Sequence, residues 1–256
     1  MAARFLYTGT GMRGMDRQPP RPMDPMEGNQ MRVIFNEGLK AVADDLDHMA
    51  RNVRDAIHGA GQALLNTDLD AAQTVIDNDA ETDALSTSIV NQCVELLARQ
   101  NPVATDLRVV VSTMRLAITF ERMGDLARHI AESARRTYPD SPLPQDIVDT
   151  FAQMQQFLDV TADRLVTMLA DRDTKVADQI IHDDDVLDEL HKKTLEFAQS
   201  EDFPGTNQQL INVVLIGRFM ERLGDHAVSA ARRVVFIVSG FDPSKEPDRD
   251  EGTDID

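Results

Sequence analysis

The chain contains a second copy of itself. LLNTDLDAAQTVIDNDAETDAL, beginning at Leu64, returns as MLADRDTKVADQIIHDDDVLDEL, beginning at Met168. TFERMGDLARHIAESARR, which holds Glu121 and Asp125, returns as FMERLGDHAVSAARRVV, which holds Glu221 and Asp225. The first pair is offset by 105 positions (Asp79 to Asp184) and the second by 100 (Glu121 to Glu221), so one intervening loop is shorter in the second copy. A duplication of this length restricts the chain to two versions of one supersecondary unit.

Each unit reads as three long helices. In the first, the periodic patterns run from about Met31 to Leu65, from Thr67 to Arg99 and from Thr105 to Tyr138. Thr67 followed by Asp70 resembles a capping box with Asp in place of Glu, and Asn101-Pro102 breaks the chain before the third helix. The Pro-rich loop TYPDSPLP separates the copies. In the second, helices are predicted from Pro144 to Ala170, from just after Asp173 to near Ser200, and beyond DFPGT to Ser239, where Gly240 is a suitable stop. The expected fold is all-α: two tandem antiparallel three-helix bundles, 31–139 and 144–240. Residues 1–30, rich in Gly, Pro, Met and Arg, and the acidic tail 241–256 are expected to be disordered.

Composition narrows the function classes. With 44 acids against 26 Lys and Arg, the net charge is -18. Such a surface repels nucleic acid and anionic lipid and suits cations or basic protein patches. One cysteine, Cys93, excludes an intrachain disulfide and fits a reducing cytoplasm. Cys93 and most methionines fall in apolar phases and are expected in the core. No apolar run approaches membrane-span length. P-loop, G-x-G-x-x-G and G-x-S-x-G motifs are missing, so no enzyme activity is expected.

The acids carry the chemistry. On the third helix, Leu107, Val111, Met114, Ile118, Glu121 and Asp125 are spaced as one stripe, read here as facing inward. Val214, seven residues before Glu221, keeps the phase in the second copy. Asp79 and Asp83 share a stripe with Ile76 and Val90, as Asp184 and Asp188 do with Ile181 and Leu195. Two antiparallel helices per bundle then gather Asp79, Asp83, Glu121 and Asp125 in one cluster and Asp184, Asp188, Glu221 and Asp225 in another. Crowded carboxylates require compensation. Water, arginine or a hard cation held by oxygen ligands would each supply it. Gly124 and Gly224 fit a close approach beside the acids.

These motifs, with MRVIFNEGL and QNPVATDLR in the first half, resemble the PhoU family of phosphate-uptake regulators across about Met31 to Gly240. The resemblance implies tandem three-helix bundles with two multinuclear metal sites, described with iron. It assigns Glu121 and Asp125 to one site and Glu221 and Asp225 to the other, with Asp79, Asp83, Asp184 and Asp188 as supporting ligands. It implies a cytoplasmic repressor of the phosphate-starvation response. That repressor is expected as a homodimer that meets the membrane only through its partners, a phosphate-specific ABC transporter and a sensor histidine kinase. Where the family pattern often has Asn, four residues after the motif aspartate, this chain has His129 and Ser229. His129 is thus a possible additional ligand.

Two other readings compete. A ferritin-like di-metal oxidoreductase needs Glu-x-x-His on two helices; that motif is absent, and Asp188-x-x-His191 is the nearest approach. A metal-free helical adaptor would keep the regulatory role with the acids as surface charge.

Overall fold

The computed structural model describes residues 25–100 and 102–240. The expected arm up to residue 24 and the tail from 241 lie outside the described residues. The seven α-helices among them are α1 (Pro25–Asn66), α2 (Leu69–Gln100), α3 (Thr105–Thr137), α4 (Val148–Asp171), α5 (Thr174–His182), α6 (Asp185–Ala198) and α7 (Asn207–Ser239), and no strand occurs there. A short 3-10 turn, Gln145–Ile147, leads into α4. None of these helices is long and apolar enough to cross a membrane.

Local chemistry explains most boundaries. The helix α1 starts at Pro25, ahead of the expected Met31; its first position tolerates a residue without an N–H. The cap of α2 is Asp68 rather than the expected Thr67. The Asp68 carboxylate accepts the Ala71 N–H at 3.0 Å, and Thr67 is displaced into the left-handed region at φ 54°. Thr206 and Gln209 form a capping box at the start of α7, and Gly240 closes it at φ 77°.

The predicted fifth helix is two. It breaks at Asp183-Asp184, between α5 and α6. Three consecutive aspartates are poor helix formers, and Asp183 is drawn to Arg164 of α4 at 2.6 Å. The matching stretch of α2 has only one acid, Asp79, and stays helical.

Helices α1, α2 and α3 pack on one another as one bundle, and α4 with α5, α6 and α7 as the other. The bundles join through two seams, α1 on α4 and α3 on α7. In the first seam Gly61 lies under the buried side chain of Gln155, whose amide donates to Ile57 O at 3.1 Å. In the second, the Arg108 guanidinium stands 5.8 Å over Phe236 and the His129 ring 5.4 Å from Phe219. The start of α3 therefore meets the end of α7, and the two run antiparallel. Cys93 and Met49, Met123, Met154, Met168 and Met220 are buried, as expected, and Met114, expected with them, is half-buried against the core.

Candidate functional site

The acids sit at the rim of each bundle, which corrects the inward reading. On α3, Leu107, Val111 and Ile118 are 42%, 36% and 40% exposed. The buried face is one step around: Val110, Thr113, Ala117, Phe120, Gly124, Ala127, Ala131 and Ala134. Three other helices pack on α3, so its buried side takes both small residues and large ones, among them Leu116, Phe120, Met123, Leu126 and Ile130, while Leu107, Val111 and Ile118 fall outside it. The same shift holds on α7, where Val214 is exposed while Val213, Gly217, Met220, Gly224 and Ala227 are buried.

At that rim α2 brings Asp79 and Asp83 to Glu121 and Asp125 of α3. Burial pushes the Asp79 carboxyl above its ordinary range, with Asp83 and Asp125 adding like charge and Arg128 opposing. Burial also raises Glu121, helped by Asp83, Asp125 and Asp79. In the second bundle, burial and then the charges of Asp188 and Asp225 raise Asp184. Glu221 is raised by burial and by Asp225. All eight predicted acids thus fall in two groups of four, as the spacing implied. Asp83, Asp188 and Asp225 are exposed and the other five are half-buried. Among the described residues, no three His, Cys, Asp or Glu side chains converge closely enough to grip one ion as they stand.

The glycines explain how helices come this close. A Cβ on Gly124 would lie 3.3 Å from Thr82 Cγ2 and 3.6 Å from Asp79 Oδ1. One on Gly224 would lie 2.6 Å from Leu187 Cδ2 and 3.3 Å from Asp184 Oδ1. Each glycine fits directly beneath an acid of the neighbouring helix.

The sequence reading missed the particular arginine that meets the first cluster. Arg128 lies within 2.6 Å of Asp79 across the α2–α3 seam, donates to Asp125 at 2.7 Å and to Glu132 at 2.8 Å. The Asp79 contact is a close ion pair without hydrogen-bond alignment, since Nε finds no aligned acceptor. Its i+3 and i+4 spacing from Asp125 and to Glu132 was the available signal. In the second cluster Arg218 pairs with Glu221. His129, the possible ligand, stacks on Phe219 of α7. His191 stands near Asp188 and Arg218 and is held toward its neutral form, chiefly by burial. His226 is similarly held, by burial and by Arg222 and Arg122.

Strips beside the acids complete the site. On α7, Ile211, Val214 and Leu215 are exposed, as Leu107, Val111 and Ile118 are on α3, although only Val111 and Ile211 occupy equivalent repeat positions.

Comparison with known proteins gives this arrangement a lineage. The family model described as PhoU domain matches twice, at residues 46–134 and 151–234. The phosphate-specific transport system accessory protein PhoU homolog 1 of Mycobacterium tuberculosis is 35% identical over 216 residues, 84% of this chain and 98% of the relative. Homolog 2 of the same organism is 34% identical over 83% of this chain and 100% of its own length. The crystal structure of PhoU from Pseudomonas aeruginosa superposes with a TM-score of 0.76 at 28% identity, covering 81% of this chain and all of that one. The Streptococcus pneumoniae PhoU structure, at 22% identity, shares the fold with a TM-score of 0.72 over 81% of this chain and 98% of its own. Two matched domains, one per bundle, and relatives aligned nearly end to end establish that this chain belongs to the PhoU family.

Proposed function

We propose that this protein is a non-enzymatic accessory regulator of phosphate uptake, acting at the cytoplasmic side through protein contacts. Its family membership supports the role, and the accessory function named for its relatives points to the partner system. The observation that carries the contact is the exposed apolar strip on each of α3 and α7. Each strip lies on the helix that also carries motif acids, Glu121 and Asp125 or Glu221 and Asp225, in a chain of net charge -18. Such a face suits a partner helix with apolar residues beside Arg or Lys. A second copy is a poorer occupant, because it would bring the same negative charge. The partners proposed are the phosphate ABC transporter and its sensor kinase, with uptake and starvation signalling repressed when phosphate is plentiful.

The carboxylate clusters would hold hard cations through Asp79, Asp83, Glu121 and Asp125, and through Asp184, Asp188, Glu221 and Asp225. Bound metal would supply positive charge and so retune the face toward its partners. No observation favours redox chemistry.

Deleting the gene and following phosphate-starvation genes at high phosphate tests the role. Expression should become constitutive, and the parent gene should restore repression. Val111→Arg with Ile118→Arg should fail to restore it while leaving the melting temperature within a few degrees, since both residues are exposed. Unchanged expression in the deletion strain would refute the regulator reading. Full rescue by the double variant would move the contact to another face.

A further inference from the structure

We infer that the cavity between the two bundles is a binding site for a small apolar carboxylate that also carries an N–H or O–H donor. None of the eight clustered acids lines this cavity, so it stands apart from the sites described above.

Its walls come from both halves of the chain. Leu39 and Leu46 of α1 and Val110 and Leu116 of α3 enclose it together with Leu169 of α4 and Ile237 of α7, around a volume of about 310 Å³. Small-molecule sites start at about 300 Å³ and combine apolar walls with a few polar groups. A molecule held here touches both bundles. Ala43 and Arg172 belong to the lining and are exposed, so they mark the mouth.

The ionisable groups of the lining are Asp47, Asp106, Arg172 and Cys93. Asp106 is matched by Arg32 at 2.6 Å, and Asp47 accepts from Arg51 at 2.6 Å through Oδ2. Burial keeps the Cys93 thiol neutral. The Arg172 guanidinium forms no ion pair or hydrogen bond among the described residues. Its neighbour Asp173 is engaged as the cap of α5, accepting the Lys175 N–H at 2.8 Å. The lining therefore carries one unmatched positive charge, in a chain of net charge -18. A carboxylate suits that guanidinium, because both can share paired N–H···O bonds. Arg172 also holds its place against the backbone. It ends α4 in the left-handed region at φ 50°, where glycine is the usual residue.

The donor follows from Asp47. Its second oxygen, Oδ1, is buried without a hydrogen-bond partner. A buried acceptor without a donor is costly, and a ligand N–H or O–H would satisfy this one. A plain fatty acid offers Asp47 no donor, and a plain amine would meet the charge of Arg172.

The chain has no Trp, so an indole probe fluoresces without a protein indole background. Indole-3-acetate carries the apolar body, the N–H and the carboxylate. Indole lacks the acid, and naphthalene-1-acetate lacks the donor. Titration of the full chain should show saturable one-to-one binding of indole-3-acetate, with the other two at least about tenfold weaker. Arg172→Gly should remove the advantage over indole, and Asp47→Leu the advantage over naphthalene-1-acetate. Ala43→Phe should block all three, since Ala43 is exposed at the mouth and can be enlarged without disturbing the core. Absence of saturable binding of indole-3-acetate by the parent would overturn the proposal. Undiminished binding by Ala43→Phe would overturn the location, and equal affinity for the three probes would overturn the ligand chemistry. Glycine suits the φ of residue 172, so Arg172→Gly should fold; if Asp47→Leu does not, the three probes on the parent still decide the donor.

Discussion

Individual residues at the helix seams have sharply different tolerances. A methyl group at Gly224 would collide with Leu187 at 2.6 Å, whereas one at Gly124 meets Thr82 at 3.3 Å. Gly224→Ala should therefore destabilise by about 1–3 kcal/mol through overpacking. Gly124→Ala should change stability by less than about 1 kcal/mol, because helix propensity offsets the tighter contact. Urea unfolding of both variants checks the order. Cys93 gives a pH prediction. Burial pushes its thiol up to about 11 from an ordinary value of 9.0. The neutral thiol is thus favoured in the folded state. Its contribution is fully present below pH 9.0 and is lost as pH rises through about 11. Alkylation of Cys93 at pH 8 should be undetectable in native protein and complete in urea.

At the element scale, the junction between α1 and α2 carries an avoidable cost. Thr67, a β-branched residue, sits at φ 54° so that Asp68 can cap α2. Thr67→Gly should raise stability by up to about 1 kcal/mol, and Asp68→Ala should lower it by about 1 kcal/mol. Thermal unfolding of the pair separates strain from capping. Both effects were only partly legible beforehand. A turn at Asn66-Thr67-Asp68 was plain in the composition, but which residue became the cap depended on the path between two packed helices. The break between α5 and α6 was hidden for a similar reason. The pattern from Thr174 to Ala198 is periodic throughout, and the interruption depends on Arg164, which lies on another helix.

For the whole molecule, the two bundles meet chiefly through the α1–α4 and α3–α7 seams among the described residues. Gly61 permits the first, since any side chain there would run into the buried Gln155. Gly61→Val should lower the stability of the joint and split thermal unfolding into two transitions, one per bundle. Calorimetry showing a single transition at the parent temperature would contradict this. The same packing leaves the apolar strips of α3 and α7 exposed.

The sequence by itself determined the duplication, the helical class, the buried cysteine and methionines, and which four acids gather in each bundle. Those features follow from spacing along single helices, since residues three and four apart must share a face. The tertiary structure decided which face of α3 and α7 is buried, because that depends on how many neighbours each helix has and where small residues let them approach. It also decided that Arg128 spans α2 and α3 at the first cluster, and that His129 meets Phe219. These pairings join residues distant in the chain, so only helix packing could choose between the partners available to each.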